Sequence, residues 1–155
     1  LTQREYALIV AGGKGTRLGT SVPKQFLELN GRPVLLHTLE AFYRYSSQID
    51  IILVLPEDQI STWRDIEKKY SFNRTLTIQS GGPSRFQSVK RGLEKIQGEG
   101  LVAIHDGVRP LVSPDLIRES YRCAALHQSA ICAVPLKESL RMVEVSSFQK
   151  NGPQN

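Results

Sequence analysis

Residues 11–26 read AGGKGTRLGTSVPKQF, with four glycines, three cations and no carboxylate. The nearest acids are Glu5 before it and Glu28 after it. Glycine removes the side chains that would keep backbone N–H groups from converging on an anion. Arg17 can grip phosphate oxygens as a two-pronged fork, and Lys24 can act as a compact point charge. Pro23 stiffens the backbone just ahead of Lys24. Such a loop suits a triphosphate and the negative charge that grows at its α-phosphorus. A tight turn with solvated cations is the plainer alternative. Two familiar phosphate loops do not fit. The dinucleotide fingerprint needs a glycine where Leu18 stands, and the P-loop order is reversed in Lys14-Gly15-Thr16.

Two more segments carry reactive types. HDGVRP (105–110) sets Asp106 just past an apolar run, with Arg109 three residues on. A carboxylate there either holds Mg²⁺ across phosphate oxygens or pairs with arginine to stabilise a turn. GGPSRFQSV (81–89) turns from a strand into a helix. Gly81 and Gly82 allow backbone to approach a flat base edge, and Pro83 has no N–H to offer. Ser88, one turn into the helix, either bonds to a base or faces solvent while Ser84 caps. His105 reads as a packed or hydrogen-bonded strand residue. His37 and His127 read as helix residues without partners. No Ser-His-Asp or zinc-ligand spacing occurs, so those hydrolase chemistries are unsupported.

These segments need strands and helices to place them. Apolar β-type runs recur as YALIV (6–10), IDIILVL (49–55), TLTI (75–78), LVAIH (101–105) and AICAV (130–134). Runs apolar on both faces suit strands covered from two sides. Helical spacing lies between them. Val34, Leu35, Leu39, Phe42 and Tyr43 share a face, as do Ile60, Trp63, Ile66 and Tyr70, and then Phe86, Val89, Leu93 and Ile96. Ser113-Pro114-Asp115 opens a further helix with a capping hydroxyl, a first-turn proline and an early acid. The expected fold is three-layered α/β: a mainly parallel twisted sheet with helices on both faces. Ligands bind such sheets beyond the carboxyl ends of the strands, where all three chemical segments lie.

The totals set limits. The chain has 155 residues, 40% apolar and 23% charged, and a net charge of +5. That suits one domain and favours an anionic partner. With only 7% aromatic residues, nucleic acid is not the expected partner. The apolar runs are strand-sized, so no membrane span or membrane partner is expected, and the first residues carry no signal-type apolar region. Cys123 and Cys132 lack metal or disulfide spacing and are expected reduced in the core, which suits the cytoplasm. After Pro135 the sequence reads as a polar, partly alternating arm and then a turn-rich tail.

AGGKGTRLG with PKQF resembles the signature of the nucleoside-triphosphate transferases that make sugar and sugar-alcohol nucleotides. GGPSRFQSV and HDGVRP at these distances narrow the resemblance to the 2-C-methyl-D-erythritol 4-phosphate cytidylyltransferases of the non-mevalonate isoprenoid pathway. The matching blocks run from Ala11 to about Arg141. The resemblance implies a nucleotide-diphospho-sugar transferase-like fold with a protruding β-arm. Residues 1–135 would be the nucleotide-binding domain, and 136–155 the start of a dimerisation arm and polar tail. It implies CMP transfer from CTP to methylerythritol phosphate, with Arg17 and Lys24 as the catalytic cations. Ala11, Gly12, Gly13, Gly15, Gly82, Arg85, Ser88 and Arg109 would hold the nucleotide, with too little room at the Gly82 turn for a purine. Asp106 would hold Mg²⁺ or another divalent cation. Ser139 stands where the family has a substrate-facing threonine on an arm that reaches a second subunit, which implies a homodimer. The family continues with further strands and helices that SSFQKNGPQN does not match. The expectation is therefore a chain with a CTP half-site, part of an acceptor site and the family's C-terminal part absent. A ribitol 5-phosphate cytidylyltransferase shares the same loop and is the alternative enzyme. A CTP-binding module without turnover is the alternative outside catalysis.

Overall fold

Tyr6-Ala7-Leu8-Ile9-Val10 is apolar at every position because the strand it forms is covered on both faces. The computed structural model describes residues 3–13, 22–135 and 137. That strand, β1 (Glu5–Val10), is followed by β2 (Glu28–Leu29), β3 (Arg32–Pro33), α1 (Val34–Tyr45), β4 (Asp50–Leu55) and α2 (Ile60–Lys69). Then come β5 (Thr77–Ser80), α3 (Arg85–Leu93), β6 (Leu101–Asp106) and α4 (Pro114–His127). The main sheet has the order β5-β4-β1-β6 and is parallel throughout. Ala7 lies opposite Ile51 on one side and Ala103 on the other. β2 and β3 form a small antiparallel ribbon, turned by Asn30 and Gly31 at φ 51° and 74°.

The period of two sorts side chains between two cores. Ala7, Ile9, Ile51, Leu53 and Leu55 pack with Leu35, Leu39 and Phe42 of α1, Trp63 of α2 and Ile117 and Tyr121 of α4. Tyr6, Leu8, Val10, Ile52 and Val54 face the other way, against Val89 of α3. The expected α/β architecture, with helices on both faces, is what the chain adopts. The caps follow the sequence. Ser113 accepts from the Leu116 N–H at 3.1 Å, and Ser84 from the Gln87 N–H at 3.2 Å.

Four expectations need correction. AICAV forms no strand; residues 130–134 are exposed and outside the sheet. An apolar run becomes a strand only where a neighbouring backbone takes its hydrogen bonds, and none does here among the described residues. Phe86 is 77% exposed, because α3 turns Ser88 and Gly92 to the sheet instead. At Gly92 a methyl would lie 2.3 Å from Leu8 Cδ1, so the helix sits too close for a side chain. Cys132 is exposed and Cys123 half-exposed rather than core residues, since the AICAV strand that would bury Cys132 does not form and α4 turns Ile117 and Tyr121 inward instead. His37 has a partner: its Nε2 lies 2.8 Å from the Leu29 carbonyl, because the β2–β3 ribbon folds back along α1. Gly15, Arg17, Ser139 and most of the arm and tail lie outside the described residues.

Tyr121 ties α4 to the central strand, its hydroxyl donating to the Tyr6 carbonyl at 2.8 Å. Burial holds its phenol above the ordinary value of 10.0. Burial and the hydrogen bond to Glu5 push Tyr45 up to about 12. Above about pH 10 the unfolded chain therefore releases these protons first, and stability falls as pH rises through the folded values. Tyr121→Phe should cost about 1 kcal/mol at neutral pH and flatten that alkaline decline, read by urea unfolding at a series of pH values.

Candidate active site

The chain runs from β1 outward to β4 and β5, then returns to place β6 on the other side of β1. The order reverses at β1, and such a reversal opens a crevice beyond the carboxyl ends. Four segments meet there. The exit of β1 supplies Ala11, Gly12 and Gly13. A single 3-10 turn, Lys24–Phe26, brings Lys24. The β5–α3 turn brings Gly81 and Gly82, and the end of β6 brings Asp106 to Arg109.

Backbone bonds hold these pieces together. The Ala11 N–H donates to the Val54 carbonyl at 2.9 Å, and the Gly107 N–H to the Val10 carbonyl at 2.8 Å. The Gly81 N–H donates to the Leu55 carbonyl at 2.7 Å. Thr38, inside α1, donates its hydroxyl to the Gly107 carbonyl at 2.8 Å. Gly107 is where the two strand exits touch: a methyl there would lie 2.8 Å from Ala11 Cβ and 3.0 Å from Leu35 Cδ1. Among the described residues, no atom lies within 4 Å of a methyl added at Gly12 or Gly13.

Asp106 ends β6 with both carboxylate oxygens engaged. Oδ2 is 2.8 Å from Arg109 Nε and Oδ1 is 3.1 Å from an Arg85 guanidinium nitrogen. The sequence offered Arg109 as a partner; Arg85 is the second, brought by the first turn of α3. His105 is a strand residue packed edge-on against Phe42, with Nε2 3.0 Å from the Arg109 carbonyl. It bonds within the turn, as its position implied.

The GGPS turn is built from inside. Ser88 is only 5% exposed and does not face solvent. Its hydroxyl accepts from the Gly82 N–H at 3.0 Å and donates to the Ser84 carbonyl at 2.9 Å. Arg91 donates to the Gly81 carbonyl at 2.6 Å. The two residues assigned to a base, Gly82 and Ser88, are thus bonded to one another at the mouth.

Sequence reasoning passed over Gln25, Thr38, Gly107 and Arg91. Gln25 is fully buried, and its side-chain amide donates to the Ala11 carbonyl at 2.9 Å. Its place inside PKQF was the available signal. Thr38 had none, because its partner is 69 residues away. Among the described residues no three His, Cys, Asp or Glu side chains gather as a metal centre.

Fold and site together define an α/β protein of the nucleotide-diphospho-sugar transferase-like kind. The family model for IspD, 2-C-methyl-D-erythritol 4-phosphate cytidylyltransferase, matches residues 6–151, and the chain belongs to that family. The cytidylyltransferase of that name from Bacteroides thetaiotaomicron is 46% identical over 138 residues, covering 89% of this chain and 63% of the relative. Its counterpart in Phocaeicola vulgatus is 48% identical over 136 residues, covering 88% and 62%. The crystal structure of 4-diphosphocytidyl-2C-methyl-D-erythritol synthase from Anaerococcus prevotii superposes with a TM-score of 0.76 at 28% identity, covering 94% of this chain and 62% of that one. The chain therefore spans a little under two thirds of the length of these relatives.

Gly107→Ala should destabilise the chain by about 1–3 kcal/mol, because the Cβ and Cα of Ala11 cannot yield without moving the exit of β1. Gly13→Ala, which would meet no atom of the described residues within 4 Å, should stay within about 0.5 kcal/mol of the parent. Thermal unfolding of both variants checks the contrast.

Proposed function

We propose that the protein transfers CMP from CTP to 2-C-methyl-D-erythritol 4-phosphate and releases pyrophosphate. The observation that carries this reading is the convergence of the glycine exit, the turn that bears Lys24, the Gly82 turn and Asp106 at the carboxyl ends of the strands, in a chain of this family. The matched relatives bear the methylerythritol name, which favours that acceptor over ribitol 5-phosphate.

In this reading the triphosphate lies along Ala11, Gly12 and Gly13 and the following loop with Gly15. A phosphate oxygen of the acceptor attacks the α-phosphorus of CTP. The new P–O bond forms as the bond to the bridging α–β oxygen breaks, and pyrophosphate carries away that electron pair. Lys24 and Arg17 stabilise the charge on the phosphoryl oxygens, and no protein nucleophile or general base is needed. The cytosine meets the Gly82–Ser88 turn. That turn is closed by its own hydrogen bonds, and its shortness favours the smaller base over a purine. Ser139, on the arm, is the hydroxyl offered to the acceptor.

Asp106 fits a divalent cation in one respect: Mg²⁺ is usually held by one or two carboxylates, with phosphate oxygens and water completing its shell. Asp106 is one such carboxylate at the mouth, and its partners Arg85 and Arg109 are largely exposed side chains free to turn toward phosphate. When bound, the cation would offset phosphate charge. Residues 1–135 act as the nucleotide-binding unit, and the arm from 136 onward pairs two subunits. The setting is the cytoplasm, where CTP is available. Among the described residues no helix is long and apolar enough to cross a membrane.

Pyrophosphate release from CTP with each acceptor tests the reading. Methylerythritol phosphate should support turnover, and release driven only by ribitol 5-phosphate would transfer the activity to that acceptor. CTP binding with neither acceptor turned over would leave a binding module. Lys24→Ala should lower the rate roughly a hundredfold, about 3 kcal/mol. Asp106→Asn should remove the dependence of CTP binding on added Mg²⁺, measured by calorimetry with and without the cation.

A further inference from the structure

The crevice holds one buried amide that the chemistry above leaves unused. Gln25 is 0% exposed, although it lies directly after the half-buried Lys24. Its Nε2 gives one hydrogen to the Ala11 carbonyl and the other to Gln59 Oε1. Its own Oε1 has no partner among the described residues. An unpaired buried acceptor is costly, and methionine would fill a similar volume without that cost. The amide's place in the fold thus rests on its two donor bonds.

Those bonds join three pieces of chain: the exit of β1, the turn Glu57–Gln59 after β4, and the turn that carries Lys24. Lysine is a point charge on a flexible stem, so its charge is placed only as well as its backbone is. The Lys24 turn is closed locally by Phe26 N–H donating to Pro23 and Leu27 N–H donating to Lys24. Phe26, buried in the core, and the Val34 N–H donating to the Leu27 carbonyl at 2.9 Å anchor the turn to α1. Among the described residues the hydrogen bond that ties it to the glycine exit is that of Gln25.

We propose that Gln25 is a positioning residue: by bonding to the Ala11 carbonyl it sets the Lys24 ammonium at the height of the nucleotide's phosphates. This rests on the reading of Lys24 as a phosphate ligand. The experiment is calorimetric titration of the full chain with CTP and, separately, with cytidine, which lacks phosphates. The variants are Lys24→Ala, Gln25→Met and the double substitution. Gln25→Met should lose about tenfold in CTP affinity and leave cytidine affinity unchanged. In the Lys24→Ala background it should cost nothing more, because the charge it positions is gone. Equal losses for CTP and cytidine, or a full loss persisting without Lys24, would show that the amide only braces the fold and would overturn the proposal. A Lys24→Ala chain that binds CTP as well as the parent would instead refute the role of Lys24, and this inference with it. If Gln25→Met does not fold, Gln59→Leu removes one of the two bonds from outside the crevice. A loss confined to CTP then supports the proposal, and any other pattern overturns it.

Discussion

Ala11 is the point at which the structure is pinned. Its N–H is taken by Val54 of β4, its carbonyl by Gln25, and the carbonyl before it by Gly107 at the end of β6. Backbone groups buried this deeply must be paired, and here each partner comes from a different part of the chain. Satisfying two consecutive peptide units brings the exits of three neighbouring strands level with one another. The crevice is a consequence of that pairing. A glycine exit on a single strand would be a loop. Held against Gly107 on one side and Val54 on the other, it becomes the floor of a site.

The charges around that floor are arranged in balance. Asp106 is a carboxylate at the carboxyl end of a parallel strand, with an arginine from its own turn and another from α3. These ion pairs are exposed and contribute little to stability. Their value lies in keeping two guanidinium groups and one carboxylate together at the mouth, ready to exchange partners when an anion arrives. Ser88 shows the complementary strategy. Its hydroxyl closes the GGPS turn by local bonds, so the turn keeps its shape without a ligand.

Several elements were legible in the sequence because their signals are local. YALIV and IDIILVL read as two-sided strands, and they are. Ser113-Pro114-Asp115 and Ser84 read as caps, and both hydroxyls accept the expected N–H groups. The elements that misled depended on neighbours. AICAV has the composition of a strand but no partner backbone among the described residues. Phe86 has the right helical spacing, yet Gly92 brings α3 so close to Leu8 that Ser88 and Gly92 occupy the contact instead. His37 found a carbonyl because a hairpin turned beside it.

The sequence alone determined the kinds of chemistry available: a glycine exit, its cations, a strand-end carboxylate and a glycine turn, each within a dozen or so residues. Motif and period are properties of neighbours along the chain, so they can be read along it. Only the tertiary structure decided which of these groups face one crevice, that Asp106 is shared by Arg85 and Arg109, and that Gln25 and Thr38 secure the strand exits. The Gln25 and Thr38 contacts join residues 14 and 69 positions apart, and they exist only because buried backbone groups must find partners wherever the packed sheet supplies them.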